Sequence, residues 1–144
     1  MDQSNIKFPP ELLFKYPHMF PLDIAIWERF LVVHGSDYVN FSYDVKVGSG
    51  SPVAAGTPEN YARMQEILSK YRIDAVGFRS NEIDIIEVKP DAGTIAIGQV
   101  VTYVTLYKRD LKPSLPVRGV IVTDRELPDM KNLTKQLGFG YYIV

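Results

Sequence analysis

Two short apolar runs separated by a polar turn constrain the fold of this chain more than any other feature. The runs at 72–78 and 83–89 flank the sequence RSNE at 79–82. Each run has the length of a strand, and a polar connection of this size joins antiparallel neighbours. Because both alternating sets of residues are largely apolar, we expect the hairpin to be central in a sheet and covered on both sides.

This hairpin would bring two acidic side chains together. If it turns symmetrically about Ser80 and Asn81, Asp74 on the first strand lies directly opposite Glu87 on the second. Like charges opposed across a ladder destabilise it by roughly a few tenths to one kcal/mol even at exposed sites. Proton sharing or a bound cation would offset the repulsion, and an oxygen-ligated ion such as Mg2+ is the natural candidate.

A lysine follows the acidic pair on the same face of the hairpin. Lys89 is two residues beyond Glu87, so its ammonium group can reach the same space. Cleavage of a phosphodiester needs an ion to polarise the phosphate, an activated water and positive charge near the transition state. We therefore expect Asp74 and Glu87 to hold the metal, and Lys89 to orient or activate water and to stabilise charge.

The helix predicted after the hairpin carries two polar side chains on one face. Gln99 and Tyr103 are four residues apart, which places them on the same side of a helix. They would supply an amide group for water or phosphate and an aromatic hydroxyl. The competing interpretation is that they are polar tips of a helix packed on the sheet.

Composition excludes several other chemistries. The 144 residues include no cysteine, so a disulfide framework, a thiolate zinc site and a cysteine nucleophile are all excluded. His18 and His34 lack the spacing of metal ligands, which disfavours a histidine zinc site. The net charge of -1 lacks the basic bias of proteins that bind nucleic acid through charge alone. Basic residues on one face, or a partner protein, would have to supply DNA contacts.

The order of elements predicts a single α/β domain. Residues 1–21 contain four prolines and are expected to form an arm, and residues 22–144 to form one domain. Breakers and periodicity predict the order helix, strand, helix, strand, strand, helix, strand, helix, strand. This order favours a central mixed sheet flanked by helices. No apolar run approaches the length of a membrane span, so we expect a protein of the cell interior without membrane contact.

The segments around the acidic pair resemble the PD-(D/E)xK nuclease superfamily. The similarity comprises Asp74, the sequence IIEVK at 85–89 and the spacing of Gln99 and Tyr103, and it extends over about residues 22–124. Ile73 stands where the superfamily motif has its proline. The resemblance implies a restriction endonuclease-like fold with an αβαββαβ core, like that of Holliday junction resolvases and RecB-like nuclease domains.

The same resemblance implies a function and further ligands. It implies an Mg2+-dependent deoxyribonuclease in which Mn2+ can substitute, with DNA as the partner. Glu28 occupies the place of an acidic residue that the superfamily carries on its first helix, and Val88 joins the metal-binding set. The sequence leaves open whether the protein forms a homodimer, although two cuts on two strands often call for two copies. Coding by a virus or mobile element is a further expectation.

Each of these signals has a structural alternative. Asp74, Glu87 and Lys89 could form a cross-strand salt-bridge cluster, and Glu28 could be a surface carboxylate paired with Arg29. Asp44 and Lys46 alternate on the first predicted strand, and there the interpretation as a solvated edge is preferred.

The basic cluster of Lys108, Arg109 and Lys112 could contact phosphates, although such clusters usually complement a helix dipole. The rival function is a nuclease-like fold that no longer cuts and serves in DNA binding or assembly.

Overall fold

The computed structural model describes residues 6–144 and gives the element order that the sequence predicts. The elements are α1 (Pro21–His34), a 3-10 helix (Gly35–Asp37), β1 (Asn40–Val47), α2 (Glu59–Leu68), β2 (Tyr71–Phe78), β3 (Ile83–Val88), α3 (Thr94–Leu111), β4 (Val117–Thr123), α4 (Met130–Gln136) and β5 (Gly140–Ile143). The prediction of an α/β chain is confirmed, and the two hairpin strands lie within one residue of the apolar runs at 72–78 and 83–89.

The strands form one mixed sheet in the order β1-β2-β3-β4-β5. The pairs β1–β2 and β2–β3 are antiparallel, whereas the pairs β3–β4 and β4–β5 are parallel. The parallel pair β3 and β4 is connected through α3, the crossover that such a pair requires. The predicted hairpin of β2 and β3 therefore occupies the middle of the sheet.

Both faces of the sheet are covered by apolar cores. On one face α1 packs Trp27 and Phe30 against Phe41 of β1 and against the apolar side chains of β3 and β4. On the other face α3 packs Tyr103 and Tyr107 against β1, β2 and β3. Covering on both faces explains why the hairpin strands read as nearly continuous apolar runs.

The segment before α1 packs on the edge strand β1. Phe8 exchanges backbone hydrogen bonds with Phe41, and its ring lies 5.6 Å from that of Tyr43. Tyr16 and Met19 are buried in the core beneath α1. Residues 1–5 of the predicted arm lie outside the residues that the structure describes.

Helix α2 begins later than the sequence indicates. The sequence Thr57-Pro58-Glu59 is typical of a helix start with Thr57 as its cap and Pro58 as its first residue, but the helix begins at Glu59. Pro58 has an extended ψ of 143°, and the hydroxyl of Thr57 donates to the carbonyl of Ala54, which closes a turn instead. In the part of the chain that is described, no helix has the length and apolar character needed to cross a membrane.

Candidate active site

The acidic pair lies where the β2–β3 hairpin opens. Ala75 pairs with Ile86 and Phe78 with Ile83, which is the register that the sequence predicts. Continued by one residue, this register puts Asp74 opposite Glu87. Strand alternation also predicts that Val76, Phe78, Ile83 and Ile85 share one face of the hairpin, and this is confirmed, because all four side chains belong to the core beneath α3.

Both acids are buried, and only one of them has a fixed donor. Asp74 is 7% exposed and Glu87 is 6% exposed. The backbone N–H of Val88 donates to Oδ2 of Asp74 at 2.9 Å. Oε2 of Glu87 has no hydrogen-bond partner among the described residues. Burying an oxygen that lacks a hydrogen-bond donor costs free energy. This end of the hairpin therefore contains a carboxyl oxygen that the described residues leave unsatisfied.

The surroundings raise the pKa of both acids. The pKa of Glu87 is raised to about 9 by burial first, then by the charge of Asp74 and by a hydrogen bond with that carboxyl. Burial also raises the pKa of Asp74 to about 7, although the Val88 N–H opposes the rise. Two close carboxyls in a low-dielectric site cannot both ionise without a counter-charge. The metal-free pair therefore retains a proton at neutral pH.

Lys89 approaches the pair but does not neutralise it. Its side chain is half-buried, and its backbone N–H donates to the carbonyl of Val122 on β4. Its charge lowers the pKa of both Asp74 and Glu87. Within residues 6–144, however, its ammonium lies within 4.0 Å of no carboxylate oxygen. The space between the two acids is therefore not filled by a basic side chain.

Helix α3 brings Gln99 and Tyr103 to the same place. The amide nitrogen of Gln99 donates to the hydroxyl of Tyr103 at 3.4 Å. Burial raises the pKa of Tyr103, and the charge of Glu87 contributes to the rise. Oε1 of Gln99 is buried without a partner in the described part of the chain. These two residues therefore add one hydroxyl and one free amide oxygen beside the acids.

The structure does not bring Glu28 into this cluster. Glu28 lines an outer groove of α1 together with Val32 and Val144. The acid of α1 whose charge raises the pKa of both Asp74 and Glu87 is Asp23, at the start of the helix. Residues five apart on a helix point about 140° away from each other, so Asp23 and Glu28 cannot face the same site. A role for Glu28 as a metal ligand therefore has no support from its position in the fold.

Sequence reasoning also missed Asp44. We expected it on a solvated edge, but it is 7% exposed and lies on β1 opposite Asp74, between the pairs Tyr43–Ala75 and Val45–Ile73.

Arg72 donates to both carboxylate oxygens of Asp44 at 2.6 Å, and Lys46 lies 3.7 Å from one of them. Asp44, Asp74 and Glu87 thus form a row across three neighbouring strands. A visible signal was the alternation of Asp44 with Lys46, but its burial depends on the β1–β2 register.

Strand β1 changes its faces at Asp44, which has the left-handed φ of 53°. Tyr43 packs in the core beneath α1, and Val45, two residues later, packs in the core beneath α3. The neighbouring strand β2 changes faces at the same level, because Ala75 packs in the core beneath α1 and Ile73 in the core beneath α3. Regular strand alternation would place Ile73 on the same face as Ala75, and this local departure from alternation is the reason that it does not lie there.

The donor set suits a cation that is bound only in part by protein. Residues 6–144 contain no group of three His, Asp or Glu side chains placed to hold a metal. Mg2+ is usually bound through one or two carboxylates, with waters and substrate phosphates completing the shell. Asp74 and Glu87 with the orphaned Oε2 atom fit this pattern. The side chain of Val88 is in the apolar core, so only its backbone carbonyl could take part.

No protein-family model, no curated protein and no solved structure matches this chain.

Proposed function

We propose that this protein is a divalent-metal-dependent deoxyribonuclease with a restriction endonuclease-like fold, related to the PD-(D/E)xK superfamily. One observation carries the proposal: Asp74 and Glu87 are buried opposite each other, Oε2 of Glu87 has no hydrogen-bond partner, and no basic side chain of the described residues forms an ion pair with either acid. Two opposed buried carboxylates destabilise a folded chain when both are ionised, unless a proton or a cation lies between them. The arrangement becomes favourable when a doubly charged ion occupies the gap.

The residues present fit Mg2+, with Mn2+ as a substitute. Asp74 and Glu87 would hold the ion, and the backbone carbonyl of Val88 would be a third ligand. When bound, the ion would polarise a phosphate oxygen and make an adjacent water more acidic. The raised pKa values have a consequence for loading: the pair must release its proton, so the ion binds more tightly as the pH rises.

The chain's own residues then have separate tasks. The N–H of Val88 fixes the orientation of Asp74, which leaves the other oxygen of that carboxyl for the ion. Lys89 contributes the positive charge that stabilises negative charge developing on the phosphate, and it can orient the attacking water. Gln99 and Tyr103 form a bonded pair on α3 that can donate to water or to a phosphate oxygen. Their mutual bond limits the freedom of both side chains.

A cleavage assay with matched variants tests the proposal. Plasmid, linear duplex, single-stranded and branched DNA are incubated with Mg2+, with Mn2+ or with EDTA. We expect cleavage that EDTA abolishes and that Lys89→Ala reduces by about a hundredfold or more. Lys135→Ala is the matched control, because Lys135 is exposed on α4 away from the site, and it should cleave like the wild type.

Two results of this assay would contradict the proposal. Cleavage that survives Lys89→Ala unchanged points to a contaminating nuclease or to a different centre. Absence of cleavage on every substrate with either metal contradicts the enzyme and supports a nuclease-like module for DNA binding or assembly. A homodimer stays a prediction, and sedimentation with and without DNA measures it directly.

A further inference from the structure

Tyr71, the first residue of β2, presents a fixed aromatic ring to solvent. The residue is 54% exposed although it belongs to the central sheet. Its ring centroid lies 6.1 Å from that of Tyr103, at an interplanar angle of 48°. The side chain of an exposed tyrosine usually samples several rotamers, but the ring of Tyr71 packs against another aromatic ring on its buried side. The ring is therefore partly immobilised before any partner arrives.

Gly48 closes a second side of the same ring. A Cβ atom at this position would lie 3.3 Å from Cδ2 of Tyr71, and the residue has the left-handed φ of 98°. The N–H of Gly48 donates to Oδ2 of Asp110 at 2.7 Å, which ties the loop to the end of α3. The close approach of backbone to ring requires glycine here. Loop and helix together hold Tyr71 in place.

Two cations lie close to Asp110, which holds the loop against the ring. Arg109 is exposed, pairs with Asp110 at 2.7 Å and donates to the hydroxyl of Ser49 at 3.3 Å. Lys70 directly precedes Tyr71, and its charge helps to lower the pKa of Asp110 after the hydrogen bonds from Arg109 and Gly48. Asp110 is the one acid among these groups, and both of those donors occupy it. The basic residues at the end of α3 thus lie beside an aromatic surface.

The ring is also continuous with the candidate active site. Tyr103, against which Tyr71 packs, accepts a hydrogen bond from Gln99. After burial, the charges of Glu87 and Asp74 contribute to the raised pKa of Tyr103. A single aromatic side chain therefore separates the exposed ring from the acidic pair. A nucleic acid strand with a phosphate at that pair would pass over Tyr71 with a neighbouring nucleotide.

We propose that Tyr71 is a stacking platform for an unpaired base of single-stranded DNA, with Lys70 and Arg109 contacting the phosphates beside it. The location of the cleaved phosphate in this inference rests on the proposed nuclease function. Stacking on a ring face requires a base that is released from pairing, and every base offers such a face. The net charge of -1 gives little general attraction for duplex DNA, so base stacking supplies affinity that charge does not.

Binding in EDTA tests the platform without any contribution from cleavage. Fluorescence anisotropy compares an oligo-dT strand with an abasic strand of equal length, which has the phosphates but no bases. We expect the wild type to prefer oligo-dT by about tenfold, and Tyr71→Ala to lose that preference. Tyr71→Trp retains an aromatic face and should restore it. Tyr61→Ala removes another exposed tyrosine, on α2, and should bind within about twofold of the wild type.

Several outcomes overturn the inference. They are equal binding of abasic and oligo-dT strands, an equal loss in Tyr71→Ala and Tyr61→Ala, or tighter binding of duplex than of single strands. Self-association that Tyr71→Ala abolishes, measured by sedimentation, would instead assign the ring to a second copy of the chain. Thermal melting of each variant shows that it is folded, and Tyr71→Phe provides a ring-bearing variant if the alanine protein does not fold.

The two proposals fail separately. If oligo-dT binds through Tyr71 but no substrate is cleaved, the nuclease function is contradicted and the stacking role of Tyr71 is still supported. Cleavage that depends on Lys89 while Tyr71→Ala binds and cleaves single strands like the wild type contradicts the platform alone.

Discussion

Asp84 and Glu87 are both buried on β3, three residues apart, and their carboxyl groups have opposite surroundings. Asp84 is fully buried and accepts hydrogen bonds from Tyr38 at 2.7 Å, from Arg79 at 3.0 Å and from Arg118 at 3.0 Å. Burial alone would raise its pKa, but these donors outweigh burial and lower it. Glu87 has no cation within ion-pair distance among the described residues, and its pKa rises.

The contrast separates a structural charge cluster from a candidate binding site. The sequence left open whether Asp74 and Glu87 belong to a cross-strand salt-bridge cluster. A cluster of that kind exists, but it is centred on Asp84 at the other end of the same hairpin. There the chain provides two guanidinium groups for one carboxylate, and Glu82 pairs with Arg118 as well. At the open end the chain provides two acids, and no basic side chain of the described residues forms an ion pair with either of them.

The largest expected difference is in activity. Glu87→Gln keeps the size of the side chain but removes the negative charge that would hold the ion. We expect DNA cleavage to fall by about a thousandfold, equivalent to roughly 4 kcal/mol of transition-state stabilisation. Asp84→Asn should cleave at close to the wild-type rate per folded molecule. Single-turnover cleavage at saturating Mg2+ measures both variants, and an active Glu87→Gln protein would remove the basis of the comparison.

The next largest difference is in stability, where Asp84→Asn is expected to be the more damaging of the two variants. Asp84→Asn leaves Arg79 and Arg118 close together without their shared carboxylate, which we expect to cost about 3 kcal/mol. Glu87→Gln removes one of two opposed acids and should leave the metal-free protein as stable as the wild type or more stable at pH 8. Urea unfolding in EDTA gives both free energies. A larger loss in Glu87→Gln than in Asp84→Asn would show that the acidic pair is structural.

The pH dependence of metal-free stability should have opposite signs at the two ends. Folding raises the pKa of Asp74 and Glu87. Their contribution to the free energy of unfolding is therefore fully present below the ordinary carboxyl range and is lost as the pH rises through about 7 and 9. Folding lowers the pKa of Asp84, so its contribution is present above that range and is lost in acid.

We therefore expect the free energy of unfolding to fall by on the order of 2 kcal/mol more in the wild type than in Glu87→Gln between pH 5 and 9. Urea titrations at each pH in EDTA measure the difference. Parallel pH curves for the two proteins would contradict the shared proton.

The smallest expected effect is stabilisation by the ion itself. At tenfold over its dissociation constant, a bound ion adds about 1.4 kcal/mol, which raises the Tm of a domain of this size by roughly 4 °C. The increment should grow from pH 6 to 9, because the pair must lose its proton. Asp74→Asn should show a much smaller shift, and Asp84→Asn an undiminished one. Equal shifts in all three proteins would indicate binding elsewhere, and scanning calorimetry with Mg2+ or Ca2+ measures them.

The sequence by itself determined the elements and the acidic pair. A four-residue turn fixes the register of the β2–β3 hairpin, so local information places Asp74 opposite Glu87. Helical spacing in the same way places Gln99 beside Tyr103. These inferences succeed because the residues involved are close along the chain, where turn geometry and periodicity leave few alternatives.

Only the tertiary structure decided the rest of the site. The register of β1 against β2 spans a loop and all of α2, so nothing local sets Asp44 opposite Asp74. The choice of Asp23 over Glu28 depends on how α1 is rotated against the sheet. The Asp84 cluster gathers side chains from several strands and from the segment before β1. Long-range packing selects these contacts, because residues far apart along the chain meet only when the whole core forms.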